Sequence, residues 1–272
     1  MKEYGEKGKG SRMPKIKANG IDHYYEISGS GPPLLLVAGM GGTANYWEPQ
    51  VDFFSDYYTV ITYDQRGTGR TEHRQVKNID QLANDILSLL DELGVGTVDF
   101  VGHSTGGNIG QSIAIDDPKR ISKLVIYAST TFGDHYRSKV WRVRRSILES
   151  QGASLYGDMT SIMLYPAKWI AENSVELERQ QEAQKNMLAP VEIMTSRIEA
   201  VQKFDRRGEL QKITNETLVL CSRDDIQTPS YFSEELASKI PNSKLMLMDY
   251  GGHVFSRTMS DEFNNHVLTF LK

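Results

Sequence analysis

The segment Asp99-Phe100-Val101-Gly102-His103-Ser104-Thr105-Gly106-Gly107 has the form strand, Gly-x-Ser-x-Gly, helix. A serine that presents its hydroxyl above a sheet must sit on a very sharp turn with a strained backbone. Side chains two residues before and after it would collide with the neighbouring strand and helix, so glycine is needed at 102 and 106. The helix that follows, read as Asn108 to Ile115, points its N-terminus at Ser104, where free N–H groups favour a developing oxyanion. A glycine-rich turn with an idle serine would carry the same string. The strand before it and the helix after it make the pattern specific for a nucleophile.

A serine hydroxyl is a poor nucleophile at neutral pH and needs a base. Six histidines are available: His23, His73, His103, His135, His253 and His266. His253 lies in Tyr250-Gly251-Gly252-His253, directly after the last strand candidate, and so overhangs the end of the sheet where ligands bind in open α/β folds. His266 falls in a terminal helix pattern and reads as a partly exposed helix residue. His103 adjoins Ser104, but its side chain is expected to point away. An acid must orient the base. Leu218 to Asp225 ends in two candidates, of which Asp225 is favoured by its position four residues before Pro229, with Asp224 as runner-up or a loop-capping residue. A second oxyanion donor is expected in Val37-Ala38-Gly39-Met40-Gly41-Gly42. The N–H of Met40 and the N–H of Thr105 are the expected pair, each contributing about 3 kcal/mol of transition-state stabilisation.

These residues need a sheet to hold them. Short apolar runs alternate with helical patterns, the signature of βα units and a mainly parallel sheet. The strand candidates are Leu34–Val37, Thr59–Tyr63, Val98–Val101, Leu124–Tyr127, Leu218–Cys221 and Leu245–Met248. Ile16–Ala18 and His23–Ile27 read as an antiparallel pair at the edge, turned by Asn19-Gly20. Ile79, Leu82, Ile86, Leu89, Leu90 and Leu93 share one helix face, with Asn78 and Gln81 as caps and Gly94 as the stop. From Thr131 to Arg207 the alternation breaks into helical patterns. The expected organisation is a disordered N-terminal arm over 1–13, a discontinuous α/β core over 14–130 and 208–272, and a helical cap over 131–207.

The chain of 272 residues can bury a substantial core, and its net charge of −4 argues against a dedicated nucleic-acid binder. No apolar run is long enough to span a bilayer, and the arm lacks the apolar segment of a secretory signal. Cys221 is the single cysteine. No intramolecular disulfide can form, and a reducing, cytoplasmic setting is the expectation. No His-x-x-x-His or Cys-x-x-Cys cluster exists, so neither a metal nor another cofactor is expected. The expected partner is a small molecule, with no nucleic acid and no membrane, and the chain is expected as a monomer or homodimer.

Gly102 to Gly106, Asp225 and His253, in that order, resemble the α/β-hydrolase superfamily over nearly the whole chain beyond Met13. The resemblance implies an eight-stranded, mainly parallel sheet flanked by helices, with a helical cap insertion. Tyr63 to Gly69 resembles the loop that shapes the active-site wall in that superfamily. Tyr63 to Gly69, Leu164 to Trp169, Cys221 to Pro229 and Tyr250 to His253 are similar to the RutD-type aminoacrylate or carbamate hydrolases and to the enol-lactonases. Ala38 departs from the histidine that many superfamily members carry before the oxyanion glycine. Ser104 departs the other way, since RutD-type proteins do not always keep a serine nucleophile, and it shifts the weight to acyl-enzyme chemistry.

The expected activity is therefore hydrolysis of a small, largely apolar carboxylic ester or lactone through an acyl-enzyme. Two alternatives stay open: C–N hydrolysis of an aminoacrylate or carbamate, and a non-hydrolytic ligand receptor on the same fold. Gly39, Trp141, Met163 and Trp169 are the expected substrate-binding residues. Arg137, Arg142, Arg144 and Arg145 cluster around Trp141. Solvated helix surface is the favoured reading of the cluster, and recognition of an anionic substrate group is the sharper one.

Overall fold

The computed structural model describes residues 14–185 and 187–272. The expected arm over 1–13 lies outside the described residues. Eight strands form one sheet: β1 (Lys15–Ala18), β2 (Ile21–Ser28), β3 (Pro33–Val37), β4 (Thr59–Tyr63), β5 (Val98–His103), β6 (Ile121–Tyr127), β7 (Glu216–Ser222) and β8 (Ser243–Met248). Their spatial order is β1-β2-β4-β3-β5-β6-β7-β8. Only β1–β2 and β2–β4 pair antiparallel; every later pair is parallel. The edge hairpin turns on Asn19 (φ 45°) and Gly20 (φ 82°), the two positive φ values that a two-residue turn of matching twist requires.

The helices are α1 (Glu48–Phe54), α2 (Ile79–Glu92), α3 (Thr105–Asp116), α4 (His135–Leu164), α5 (Ala167–Glu172), α6 (Ser174–Lys185), α7 (Val191–Gln202), α8 (Tyr231–Lys239), α9 (Phe255–Thr258) and α10 (Ser260–Leu271). The pleat of the sheet sends alternate residues to opposite faces. On β3, Leu35 and Val37 join the cluster built with α2 and α3, while Leu34 and Leu36 join the one built with α1 and α10. All four are at most 1 % exposed, so the strand is continuous in hydrophobicity because both of its faces are covered.

α2 keeps its expected caps. Asn78 Oδ1 accepts from Gln81 N–H, and Gln81 Oε1 accepts from Lys77 N–H. Gly94, at φ 71°, ends the helix with Val95 N–H donating to Leu90 O. α3 starts three residues earlier than the sequence pattern indicates, because Gly106 and Gly107 lie inside it. Close packing against β3 and β6 overrides their weak helix propensity.

Among the described residues, the chain between β6 and β7 holds helices α4 to α7 and no strand. Gly152 (φ 79°, ψ −175°) interrupts α4 in a conformation that favours glycine. Among the described residues no helix is long and apolar enough to cross a membrane.

His23, on β2, is fully buried. Burial holds its pKa below the ordinary value of 6.5, with Asp85 opposing and Arg66 reinforcing the shift. The unfolded chain therefore binds a proton more readily than the folded one. Stability present above about pH 6.5 is lost as pH falls through the lower, folded-state pKa. His23→Leu is expected to flatten the decline of the urea midpoint between about pH 7 and pH 5. Parallel declines in the two proteins would contradict it.

Candidate active site

Ser104 stands between β5 and α3 at φ 52° and ψ −113°, a left-handed conformation for a residue with a side chain. The flanking glycines are required by space. A Cβ on Gly102 would lie 2.4 Å from Gly106 O, and one on Gly106 would lie 2.2 Å from Val37 O. The strained peptide is held on both sides. Ser104 N–H donates to Tyr127 O at 2.8 Å, and Ser104 O accepts from Ser129 Oγ at 2.7 Å.

His253 follows β8 and is 2 % exposed. Its Nδ1 is 2.8 Å from Asp225 Oδ2. A carboxylate accepts, so the ring proton belongs on Nδ1 and Nε2 is left as a base. The backbone of His253 is clamped as well: its carbonyl accepts from Tyr127 Oη and from His103 Nε2, each at 3.0 Å.

Asp225 is buried and takes three further hydrogen bonds, from Gln227 N–H (2.7 Å), Thr228 N–H (2.9 Å) and Thr228 Oγ1 (2.8 Å). Thr228 Oγ1 also lies 3.2 Å from His253 Nδ1. Sequence reasoning missed Thr228. Its place three residues after Asp225, in a turn closed by that carboxylate, is the signal that could have found it. Asp224 does not compete for the imidazole. It accepts from the N–H groups of Gly251 and Gly252 and so fixes the loop that carries His253.

His103 contributes more than proximity. Its ring stacks on Tyr46 at 4.7 Å and 4°. Burial first, and His253 second, hold its pKa well below the ordinary histidine value, so the ring stays neutral. His103 is among the residues around the cavity that also holds Ser104 and His253, and its ring is fixed by the bond to the His253 carbonyl. His266 sits on α10 and is half-buried, as expected.

That cavity has a volume of about 300 Å³. Gly39, Met40 and Trp141 line it together with Tyr156, Leu164, Tyr165 and Met194. Thr105 opens α3 behind the elbow and is buried. Its N–H has no carbonyl one turn back within the helix. Met163 and Trp169 are not among the lining residues. Trp169 instead stacks on Tyr165 at 4.6 Å, which puts it one layer behind the wall. The loop Tyr63 to Gly69 supports the wall: Gln65 Nε2 donates to Ala38 O at 2.6 Å, and Thr68 Oγ1 to Gly42 O at 3.0 Å.

The arginine cluster divides. Arg142 is exposed, and Arg145 pairs with Glu149 and Glu199 on the surface. Arg137 (3 % exposed) and Arg144 (4 % exposed) are buried, which corrects the solvated reading for these two. Both guanidiniums lie near the Trp141 ring, at 4.9 and 5.0 Å from its centroid. A guanidinium only donates, so the Gln227 amide turns its oxygen to both, accepting from Arg137 Nη1 at 2.9 Å and Arg144 Nη1 at 3.1 Å. Arg144 Nη2 also reaches Tyr156 Oη at 3.1 Å. Burial, reinforced by Arg144, pulls the Arg137 pKa down to about 10.

Among the described residues the cavity is lined by the cations Arg144, Arg179, Lys185 and Arg257 and by one carboxylate, Glu48. Arg179 and Lys185 have carboxylate partners in Glu176 and Glu182, whereas among the described residues Arg144 and the less buried Arg257 line the cavity with neutral acceptors alone.

Comparisons with known proteins agree with this architecture. A family profile described as alpha/beta hydrolase fold matches residues 32–256. A protein of Azorhizobium caulinodans named as a carbamate hydrolase, RutD, is 37% identical over 260 residues, covering 95% of this chain and 98% of that one. A second protein of that name, from Stutzerimonas stutzeri, is 35% identical, covering 91% and 96%. The crystal structure of the enol-lactonase from Burkholderia xenovorans superposes with a TM-score of 0.88 at 26% identity, covering 95% of this chain and 99% of that one. A thermophilic esterase from Thermogutta terrifontis gives a TM-score of 0.85 at 21% identity, covering 96% and 98%, a likeness of fold alone. The chain belongs to the α/β-hydrolase family.

Proposed function

We propose that the protein is a serine hydrolase that cleaves a carboxylic ester or lactone through an acyl-enzyme. The observation that carries the reading is the buried His253–Asp225 contact of 2.8 Å at the cavity that also holds Ser104 on its strained turn. In this reading Ser104 Oγ attacks the carbonyl carbon as His253 Nε2 takes its proton. The N–H groups of Met40 and Thr105 hold the oxyanion. The imidazolium, steadied by Asp225, gives its proton to the departing alkoxide. Water then attacks the acyl carbon, His253 takes a proton from it, and the acid leaves with Ser104 restored. Residues 14–130 and 208–272 act as the catalytic core and 131–207 as the cap.

The size of the cavity bears on the substrate. About 300 Å³ equals roughly ten water volumes and stands at the lower end of small-molecule sites. A carbamate would leave most of it wet; an ester or lactone with substituents on both sides of the carbonyl would fill it. Arg144 favours a substrate that also carries an anionic group, because a buried guanidinium facing neutral acceptors gains most from an opposite charge. The C–N hydrolase reading keeps its place through the 37% identity to the protein named RutD.

Ser104→Ala is expected to lower ester or lactone turnover by about four orders of magnitude with the fold intact. A fluorophosphonate should label Ser104 and no other residue, as read by mass spectrometry. Ammonia release from a carbamate that survives in the Ser104→Ala protein would favour the C–N reading instead. Arg144→Met is expected to lower kcat/KM for a carboxylate-bearing ester by about 10- to 100-fold relative to its neutral counterpart. Equal losses on the two esters would remove the charge assignment.

A further inference from the structure

We infer that Arg197, carried into the site by α7, is the positioning residue for the oxyanion loop. The inference rests on the reading of Met40 N–H as an oxyanion donor.

Arg197 is 1 % exposed, and among the described residues no carboxylate pairs with its guanidinium. Nη1 donates to Arg66 O at 2.7 Å, and Nη2 to Gln65 Oε1 at 2.8 Å. Nε and Nη2 both reach Met40 O, at 3.3 and 3.1 Å. Burial pulls the Arg197 pKa down to about 10, which leaves the group charged at neutral pH. A buried cation among neutral acceptors is a poor choice for packing alone, since an apolar side chain of similar volume avoids the desolvation. Its advantage is direction: a rigid fork of donors that fixes several carbonyls at once.

The carbonyls it fixes are those around the oxyanion loop. Because arginine has no acceptor, Gln65 must turn Oε1 toward it, and this leaves Gln65 Nε2 to hold Ala38 O at 2.6 Å. One guanidinium therefore sets Met40 O directly and Ala38 O through Gln65. Between them, Gly39 O accepts from Gly42 N–H at 3.1 Å. In a trans peptide the carbonyl and the next N–H point in opposite directions. Anchoring Gly39 O on the Gly42 side thus turns the Met40 N–H the other way. Gly42 sits at φ 64°, and a Cβ there would meet Thr68 and come within 3.0 Å of Arg197 Nη2, so loop and guanidinium are fitted to one another. Arg197 is absent from the cavity wall and acts only through the loop.

The test uses the full chain, with p-nitrophenyl acetate as substrate and a fluorophosphonate as an analogue whose phosphonyl oxygen occupies the oxyanion position. Arg197→Met is expected to lower kcat by about 10- to 100-fold and to slow fluorophosphonate labelling of Ser104 in proportion. KM should change less than about threefold. Arg197→Lys keeps the charge without the fork and should fall in between. Gln65→Met, which cuts the relay to Ala38, should show the same split and serves where Arg197→Met does not fold. Wild-type kcat in a folded Arg197→Met protein overturns the inference. So does a fall in kcat with an unchanged labelling rate, which would put the damage outside the oxyanion hole. If the wild-type protein is not labelled at Ser104, the parent reading fails; if it is labelled and Arg197→Met is labelled as fast, only the role of Arg197 fails.

Discussion

The turn at Ser104 places a constraint on everything around it. A residue with a side chain is held at φ 52°, which costs on the order of 1–3 kcal/mol. Relaxation is prevented from three directions. Tyr127 O on β6 holds the N–H, Ser129 holds the carbonyl, and the glycines at 102 and 106 bring α3 hard against β5 and β3. The parallel order β3-β5-β6 makes this possible, because it brings the C-terminal ends of all three strands to one edge. The same edge receives the loop after β7 with Asp225 and the loop after β8 with His253. Core packing and the candidate chemistry are two aspects of one arrangement.

The contacts among those loops show how little freedom is left. The His253 carbonyl is clamped by His103 and Tyr127, its Nδ1 faces Asp225, and the peptide N–H groups just before it are held by Asp224. Ser222 Oγ donates to Gly252 O, closing the loop from the β7 side. Side chains that look incidental in the sequence therefore fix the peptide that carries this imidazole. In the proposed reading, a base that takes and returns a proton at the same atom benefits from that restriction, since each new orientation adds to the barrier.

What could be read from the sequence was local. The elbow was legible because glycine spacing, strand and helix all lie within Asp99 to Ile115. The hairpin turn, the α2 caps and the six core strands were legible for the same reason: periodicity and turn chemistry act over a few residues. Asp225 and His253, which the structure brings within 2.8 Å of one another, were singled out through the order of strands along the chain. What buries the arginines was not legible. Arg137, Trp141, Arg144 and Leu148 follow i, i+4, i+7, i+11 spacing on one face of α4, with Arg142 off it, but Gln227, which accepts from both guanidiniums, arrives from beyond β7. Met163 and Trp169 failed in a related way. An apolar stripe on a helix marks a packed face without telling whether a ligand or another ring covers it, and here Tyr165 stands between Trp169 and the cavity.

The inserted helices are more than a roof. Arg137 Nη1 donates to Gln227 O at 2.6 Å, and Gln227 N–H donates to Asp225, so α4 is tied to the acid by two hydrogen bonds. On the opposite side, Arg197 ties α7 to the loop of Gly39 and Met40. The insertion thus grips the candidate site at Asp225 and at the loop of Gly39 and Met40, each time with a buried guanidinium held by neutral oxygens. Displacing the insertion would break both sets of hydrogen bonds at once and return the two guanidiniums to water, so these contacts fix how the helices dock rather than add a large stabilisation.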